Sequence, residues 1–322
     1  MDKGLSLGID LGGTKILAVV SDSALKPLAE AKSPTRIVPD PVMIAEQIKE
    51  TGFKALHSMN ATINDVLSIG VAVPSSVDPR TGDCVHSPNL GLKNYSLKKH
   101  LEKFFGKDVY LANDGNCGVL AEFYAGAAKG FNSVVAYFVG TGLGGGIIID
   151  GKLLIGNGGI AGELGHTIIK YGGRKCNCGN KGCLEAYCSK AGFVKAIQEN
   201  IDGKNLKCSV RKFIKDGNIK SRYLALAYEN FDPAVCKAVN KGIKMLGVAA
   251  ASHVATVAPE CIILGGGVVE AIGDEFIEIF TESFNEHLFG IKPSEITVRR
   301  ASLGDFAVAV GATILAAKKG KI

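Results

Sequence analysis

A histidine and three cysteines crowd into one short stretch, and no other feature limits the fold so sharply. Glu163-Leu164-Gly165-His166 is followed by Cys176-x-Cys178-Gly179 and Cys183-Leu184-Glu185, so four nitrogen or sulfur ligands fall within eighteen residues. Glycines at 172, 173, 179 and 182 lie among them and allow a tight knuckle. His166, Cys176, Cys178 and Cys183 form a Cys3His set suited to tetrahedral Zn2+, which structural sites bind with all four positions filled by protein. Folding the loop around such an ion draws in the flanking acids, Glu163 and Glu185, beside the imidazole. A metal knuckle edged by carboxylates reads as part of a substrate pocket.

Close cysteines also form disulfides in secreted chains, or serve as small core residues. Here the nine cysteines are an odd number, with six scattered singly at 84, 117, 188, 208, 236 and 261. Met1-Asp2-Lys3 leads into a strand-like run with no apolar leader pattern. Both features point to a reducing, cytoplasmic setting, where clustered cysteines more often bind metal. A length of 322 residues predicts roughly two domains, and 47% hydrophobic with 21% charged residues supports a large core. No apolar run approaches the ~18 residues of a membrane span. The longest, over 247–259, is broken by Ser252, His253 and Thr256. Net charge is +6 with the lysines dispersed, and Lys318-Lys319-Gly320-Lys321 is the only basic cluster, so no nucleic-acid partner is expected.

Glycine placement supplies the second clue. Residues 5–9 and 16–20 are apolar and partly β-branched, which predicts two strands around a Gly12-Gly13 turn. Gly8-x4-Gly13 begins like a phosphate-binding P-loop, but Thr14-Lys15 reverses the required order and a strand follows. P-loop and dinucleotide fingerprints both need a helix N-terminus on the phosphates, so both fail. Val134–Val139, then Gly140-Thr141-Gly142-Leu143-Gly144-Gly145-Gly146 and Ile147–Ile149, repeat the strand–turn–strand pattern about 130 residues later. Glycine turns serve many chains without a ligand. Two of them, one beside Asp10, suggest a duplicated architecture presenting backbone N–H groups to a polyphosphate.

Three further stretches are weaker. Cys261–Leu264 runs into Gly265-Gly266-Gly267, with a helix expected from about Asp274 to Leu288. Glycines there permit flat contact with a planar group such as adenine, although a plain strand-to-helix turn explains them alone. Val109–Ala112 ends in Asn113-Asp114 before a helix-compatible run at 119–123, placing Asp114 at or near an N-cap. Ser68–Pro74 predicts another strand, whose following loop ends in Ser87-Pro88-Asn89-Leu90.

Taken together, these residues resemble the ROK sugar kinases (repressors, open reading frames and kinases) of the hexokinase–actin ATPase superfamily, over roughly residues 5–315. Asp10-Leu11-Gly12-Gly13-Thr14-Lys15 resembles the family's first phosphate loop, and Gly140 to Gly146 its second. Gly162-Glu163-Leu164-Gly165-His166 with the three cysteines and Glu185 resembles its zinc-and-sugar signature, and Asn113-Asp114 its catalytic pair. The resemblance implies an α/β, two-lobed ribonuclease H-like or actin-like ATPase fold, with a nucleotide and sugar cleft between lobes. Residues 1–112, completed by a C-terminal helix within 306–322, would form the small lobe. Residues 113–305 would form the large lobe, with the knuckle at 163–185 and helical packing around 190–246.

The implied reaction moves the γ-phosphate of ATP to the 6-hydroxyl of a hexose, glucose first. N-acetylmannosamine, N-acetylglucosamine, mannose and fructose are the alternatives within the family, and a non-catalytic sugar-binding regulator is a second one. By the same resemblance Asp114 is the general base and Asp10 orients Mg2+. Gly12, Gly13, Thr14, Lys15, Thr141, Gly142, Gly144 and Gly145 hold phosphates, and Gly265, Gly266 and Gly267 line the adenine. Asn89, Asn113, Glu163, His166 and Glu185 would bind sugar hydroxyls, His166 using its other nitrogen on zinc. Homodimers or homotetramers are expected. Three departures stand out: Ser75 where Pro-Gly is frequent, no aromatic shortly after Asn89, and Gly115 where alanine is common. The first two border the sugar and bear on its identity. Family repressors carry an added N-terminal helix-turn-helix, for which a first strand at residue 5 leaves no expected room.

Overall fold

The computed structural model describes residues 4–36, 40–87, 90–215 and 217–322. The chain opens with β1 (Leu5–Leu11), β2 (Lys15–Ser21), β3 (Pro27–Pro34), α1 (Pro41–His57) and β4 (Val66–Val73). Then come β5 (Ser76–Val77), β6 (Cys84–Ser87), β7 (Leu92–Tyr95), α2 (Leu97–Phe105), β8 (Val109–Asn113) and α3 (Asp114–Ala125). After these follow β9 (Val134–Val139), β10 (Leu143–Ile149), β11 (Lys152–Leu153), α4 (Lys190–Lys204), α5 (Ser221–Glu229) and α6 (Pro233–Val257). The last elements are β12 (Cys261–Gly265), α7 (Gly267–Ile272), α8 (Asp274–Glu286), β13 (Thr297–Arg300) and α9 (Ala307–Ala317). The strands flanking both glycine turns form where the apolar, β-branched runs predict them. Among the described residues no helix is long and apolar enough to cross a membrane.

Two compact units result. The first comprises residues up to 129 with 146–162 and 305–322, and the second 130–145 with 163–304. In the first, a five-stranded sheet has the order β3-β2-β1-β4-β8. Its hairpin partners β1–β2 and β2–β3 are antiparallel, whereas β4 runs parallel to both β1 and β8. Leu5, Leu7, Ile9 and Leu11 of β1 are buried together with Ile44, Ala45, Ile48 and Leu56 of α1 in one apolar cluster. Burying each of these leucine and isoleucine side chains contributes roughly 1.5–3 kcal/mol. Helix α1 starts cleanly because the Asp40 carboxylate accepts the Val42 N–H and Pro41 opens the first turn.

The C-terminal helix α9 lies directly on this sheet. At Gly70 a Cβ would run into the Ala312 carbonyl, and at Gly311 into the Cys117 carbonyl of α3. Only glycine permits backbones to approach so closely. The sequence reading divides the chain at residue 112 and places 113–305 in the large lobe. Helix α3 instead lies in the first unit, held against α9 by this contact, and so do residues 146–162.

The second unit is built around β12, which runs parallel to β9 on one side and β13 on the other. All five β12 residues are buried. Helix α6 begins at Pro233, with Asp232 accepting the Ala234 and Val235 N–H groups, and buries an apolar stripe through Val254. Phe276, Phe280 and Phe284 of α8 recur at four-residue spacing and are fully buried. The Phe280 carbonyl sits against Gly247 of α6, where any side chain would collide with it.

Candidate active site

Within the first unit, the β1–β2 turn is closed by the Gly12 N–H donating to the Lys15 carbonyl at 3.0 Å. The Thr35 hydroxyl donates to the Gly12 carbonyl at 2.7 Å and fixes the turn from outside. Nothing stands within 4 Å of a Cβ built on Gly13, so that flank is open to a ligand. Lys15, assigned to a phosphate, pairs with Asp305 at 2.7 Å. Asp305 precedes α9, 290 positions away, and no local signal marks it.

Asp10, at the end of β1, is the most perturbed acid here. Burial pushes its carboxyl up to about 7, the negative charge of Asp114 adds to the rise, Lys15 opposes it and Asp305 adds again. Asp114 itself opens α3, one position inside the helix. The N-cap is Asn113, whose Oδ1 accepts the Gly115 N–H at 2.7 Å and the Asn116 N–H at 3.3 Å. Asn113 Nδ2 donates to the Ser75 carbonyl at 3.5 Å. Asn113, expected on a sugar hydroxyl, thus has its oxygen committed to the helix start. Two neighbouring carboxylates beside an open glycine turn form an oxygen-rich locus that a divalent cation such as Mg2+ fits. A cavity of about 280 Å³ beside β8 is lined in part by Asn113 and Asn116, and neither Asp10 nor Asp114 lines it. Asn89 lies outside the described residues.

In the second unit, the turn between β9 and β10 is closed by the Gly140 N–H donating to the Gly142 carbonyl at 2.9 Å. The start of α4 grips it from behind: Lys190 N–H donates to Gly140 at 3.0 Å and Ala191 N–H to Thr141 at 3.5 Å. Thr141 is exposed, and nothing crowds the Cβ position of Gly144, while Gly145 is buried in β10. Gly265 ends β12, Gly266 has φ +90°, and Gly267 opens α7. A side chain at Gly266 would meet the Val139 backbone, so this glycine is required by packing whether or not a base lies nearby.

The knuckle folds on backbone bonds. Cys176 N–H donates to Asn180 at 2.8 Å, Gly179 N–H to Cys176 at 3.1 Å, and Ile168 bridges to Cys183. One ligand atom from each of His166, Cys176, Cys178 and Cys183 lies within 4.8 Å of all the others. His166 Nδ1 stands 3.9 Å from Cys176 Sγ, and the Cys178 and Cys183 sulfurs are 3.6 Å apart. Zn–S bonds of about 2.3 Å and Zn–N bonds of about 2.0 Å at tetrahedral angles require ligand separations of about 3.5–3.8 Å. The donor set suits a zinc ion, and His166 turns Nδ1 toward the Cys176 sulfur.

Around it the flanking acids converge. Burial raises the Glu163 carboxyl, His166 lowers it and Glu185 raises it, so these three form one electrostatic cluster. Glu185 Oε2 accepts the Leu143 N–H at 3.0 Å, and Oε1 accepts from Cys176 Sγ at 3.4 Å. Sequence reasoning also missed Arg174. Its guanidinium donates to the Ala186 and Gly192 carbonyls at 2.7 and 3.2 Å, pairs with Glu199 and lies over the Tyr187 ring. It fastens the knuckle to α4.

Known proteins resemble the chain over nearly its whole length. The model of the ROK family matches residues 6–319. A glucokinase from Halalkalibacterium halodurans is 30% identical over 306 residues, covering 95% of this chain and 92% of that protein. A xylose repressor from Caldicellulosiruptor bescii is 29% identical, covering 96% of this chain and 77% of the repressor. The crystal structure of a ROK family glucokinase from Streptomyces griseus, in complex with glucose and AMPPNP, superposes with a TM-score of 0.83. It is 30% identical and covers 97% of this chain and 99% of its own.

Proposed function

The chain belongs to the ROK family and has the α/β, actin-like ATPase fold of its hexokinases; from that premise we propose that it is an ATP-dependent hexose kinase, acting first on the 6-hydroxyl of glucose. The observation that carries this reading is the Asp10–Asp114 pair beside the open Gly12-Gly13 turn, with the Asp10 carboxyl raised to about 7. A pure sugar-binding regulator has no use for two clustered carboxylates at a phosphate turn. The glucose and AMPPNP in the Streptomyces griseus complex are the ligands that this reading assigns here.

In the proposed mechanism Asp114 accepts the proton of the attacking hydroxyl, a contribution of roughly 10²–10⁴-fold in rate. Asp10 would hold Mg2+, which when bound neutralises phosphate charge. Amides of the Gly12-Gly13 and Gly144-Gly145 segments position the phosphates, since phosphoryl transfer depends on placement and electrostatics more than covalent help. Glu163, Glu185 and the His166 Nε2 satisfy sugar hydroxyls that would otherwise be buried unpaired. His166 Nδ1 and the three thiolates would hold a structural zinc ion, which shapes the sugar end without entering the chemistry. A reducing cytoplasm suits nine free cysteines, and the family resemblance favours a homodimer or homotetramer.

The test is ADP release with Mg-ATP against glucose, fructose, mannose, N-acetylglucosamine and N-acetylmannosamine. Turnover with one preferred sugar supports the kinase and names its acceptor. A xylose repressor aligned over nearly the whole chain supports a second reading, a sugar-responsive regulator. That reading expects sugar binding with no ADP formed from any member of the panel.

A further inference from the structure

Helix α6 carries an imidazole that the mechanism leaves unused. His253 is partly buried and both its ring nitrogens are engaged: Nδ1 lies 2.7 Å from the Tyr137 hydroxyl and Nε2 2.9 Å from Thr167 Oγ1. Tyr137, in β9, is fully buried, and its ring stacks on the imidazole at 6.0 Å between centroids. Burial holds the His253 pKa below its usual value, so the ring is neutral, with one N–H and one lone pair for its two partners.

A satisfied core histidine would end the matter, were it not for where Thr167 stands. It directly follows His166, and its carbonyl accepts the Leu184 N–H at 2.9 Å, between Cys183 and Glu185. Thr167 is thus the point where the histidine arm of the knuckle meets the arm carrying the last cysteine and the acid. Tyr137, at the other end, lies three residues before Gly140. One side chain from α6 anchors the base of the knuckle to β9.

We propose that His253 is a positioning residue: through Thr167 it fixes the His166 imidazole and the Cys183–Glu185 segment in the arrangement that retains metal and binds the hexose. The sugar half of this inference rests on the kinase reading, while the metal half does not. Groups that orient the ligands of a metal without touching it typically change affinity by about 10–100-fold when removed. Loosening the relay should therefore speed metal release and weaken sugar binding, with a smaller effect passed through Glu185 to the glycine turn.

The experiment compares wild type with Thr167→Val, His253→Leu and the double variant, using zinc release to a chromogenic chelator and separate KM values for glucose and ATP. Thr167→Val keeps the side-chain shape and should release zinc about tenfold faster and raise the glucose KM about tenfold, leaving kcat within about twofold and raising the ATP KM less than the glucose KM. The double variant should be no worse than His253→Leu, since both break one chain of bonds. His253→Gln, which can still reach Thr167, should recover most of the lost zinc retention. Zinc release and glucose KM within about twofold of wild type, with only the melting temperature lowered, would reduce His253 to a packing residue and overturn the proposal. If His253→Leu does not fold, Thr167→Val decides alone. Should wild type phosphorylate none of the five sugars, the kinase reading falls and zinc release still decides the relay. A wild type unable to take up zinc overturns the proposal outright.

Discussion

The carboxylate of Glu185 accepts the Leu143 N–H at 3.0 Å, joining the acid that closes the cysteine knuckle to the first residue of β10. Its other oxygen accepts from Cys176. A Cβ on Gly142 would strike Glu185 Oε2, so the glycine at that position is what lets the carboxylate reach the turn. The knuckle and the second glycine turn are therefore one mechanical piece within their unit. A change at Glu185, which the proposed mechanism places on the sugar, should therefore be felt at the turn it assigns to phosphate.

Glu185→Gln keeps the size and one acceptor but loses the charge. Hydrogen bonds to charged groups contribute about 1.5–3 kcal/mol, so KM for both glucose and ATP should rise roughly tenfold or more. Steady-state kinetics with each substrate varied in turn checks this. A rise confined to glucose would mean that the Leu143 bond does not position the turn.

Asp114→Asn should lower kcat at least about 100-fold, because the amide cannot take the hydroxyl proton. Sugar affinity, measured by calorimetry on the same protein, should stay within about threefold of wild type. Retained turnover would remove Asp114 from the role of base.

Asp10 makes the ligand-free protein sensitive to pH. Its folded-state pKa of about 7 lies above the ordinary carboxylate value, so the folded state favours the protonated form. The stability linked to Asp10 is complete below about pH 4 and is lost as pH rises through about 7. Asp10→Asn should thus raise the melting temperature by about 3–6 °C at about pH 8, change it little at about pH 4, and abolish Mg-ATP turnover. An equal effect at both pH values would show that charge at Asp10 is not the cause.

Metal uptake should consume thiols that the fold keeps protonated. Burial raises both Cys176 and Cys183 above the usual thiol value, so zinc binding must displace protons and weaken as pH falls. Calorimetry in two buffers of different ionisation enthalpy measures the release. Cys178→Ser, at the exposed corner of the set, should lose zinc and raise the glucose KM together; full metal content in that variant would exclude Cys178 as a ligand.

Local patterns made much of this legible in advance. Alternating apolar and β-branched residues marked the strands around Gly12-Gly13 and Gly140–Gly146. Cysteine spacing marked the side chains that cluster with His166, and an apolar run ending at Asn113-Asp114 marked the start of α3. What the residues did not reveal was the assignment of roles within those segments. Asn113 takes the cap and Asp114 the position just inside it, because a cap is chosen by backbone angles at a single position. Helix α3 sides with α9 because Gly311 lets two backbones touch, which no composition shift announces.

By itself, then, the sequence determined the family, the clustering of His166 with Cys176, Cys178 and Cys183, and the two glycine hairpins, since each is written in residues close together along the chain. Tertiary structure alone decided the partners: Asp305 for Lys15 across 290 positions, His253 for Thr167 across 86, and Glu185 for Leu143 across 42. Such pairs depend on donor and acceptor meeting at about 3 Å in a suitable direction, a condition set by how helices and strands pack.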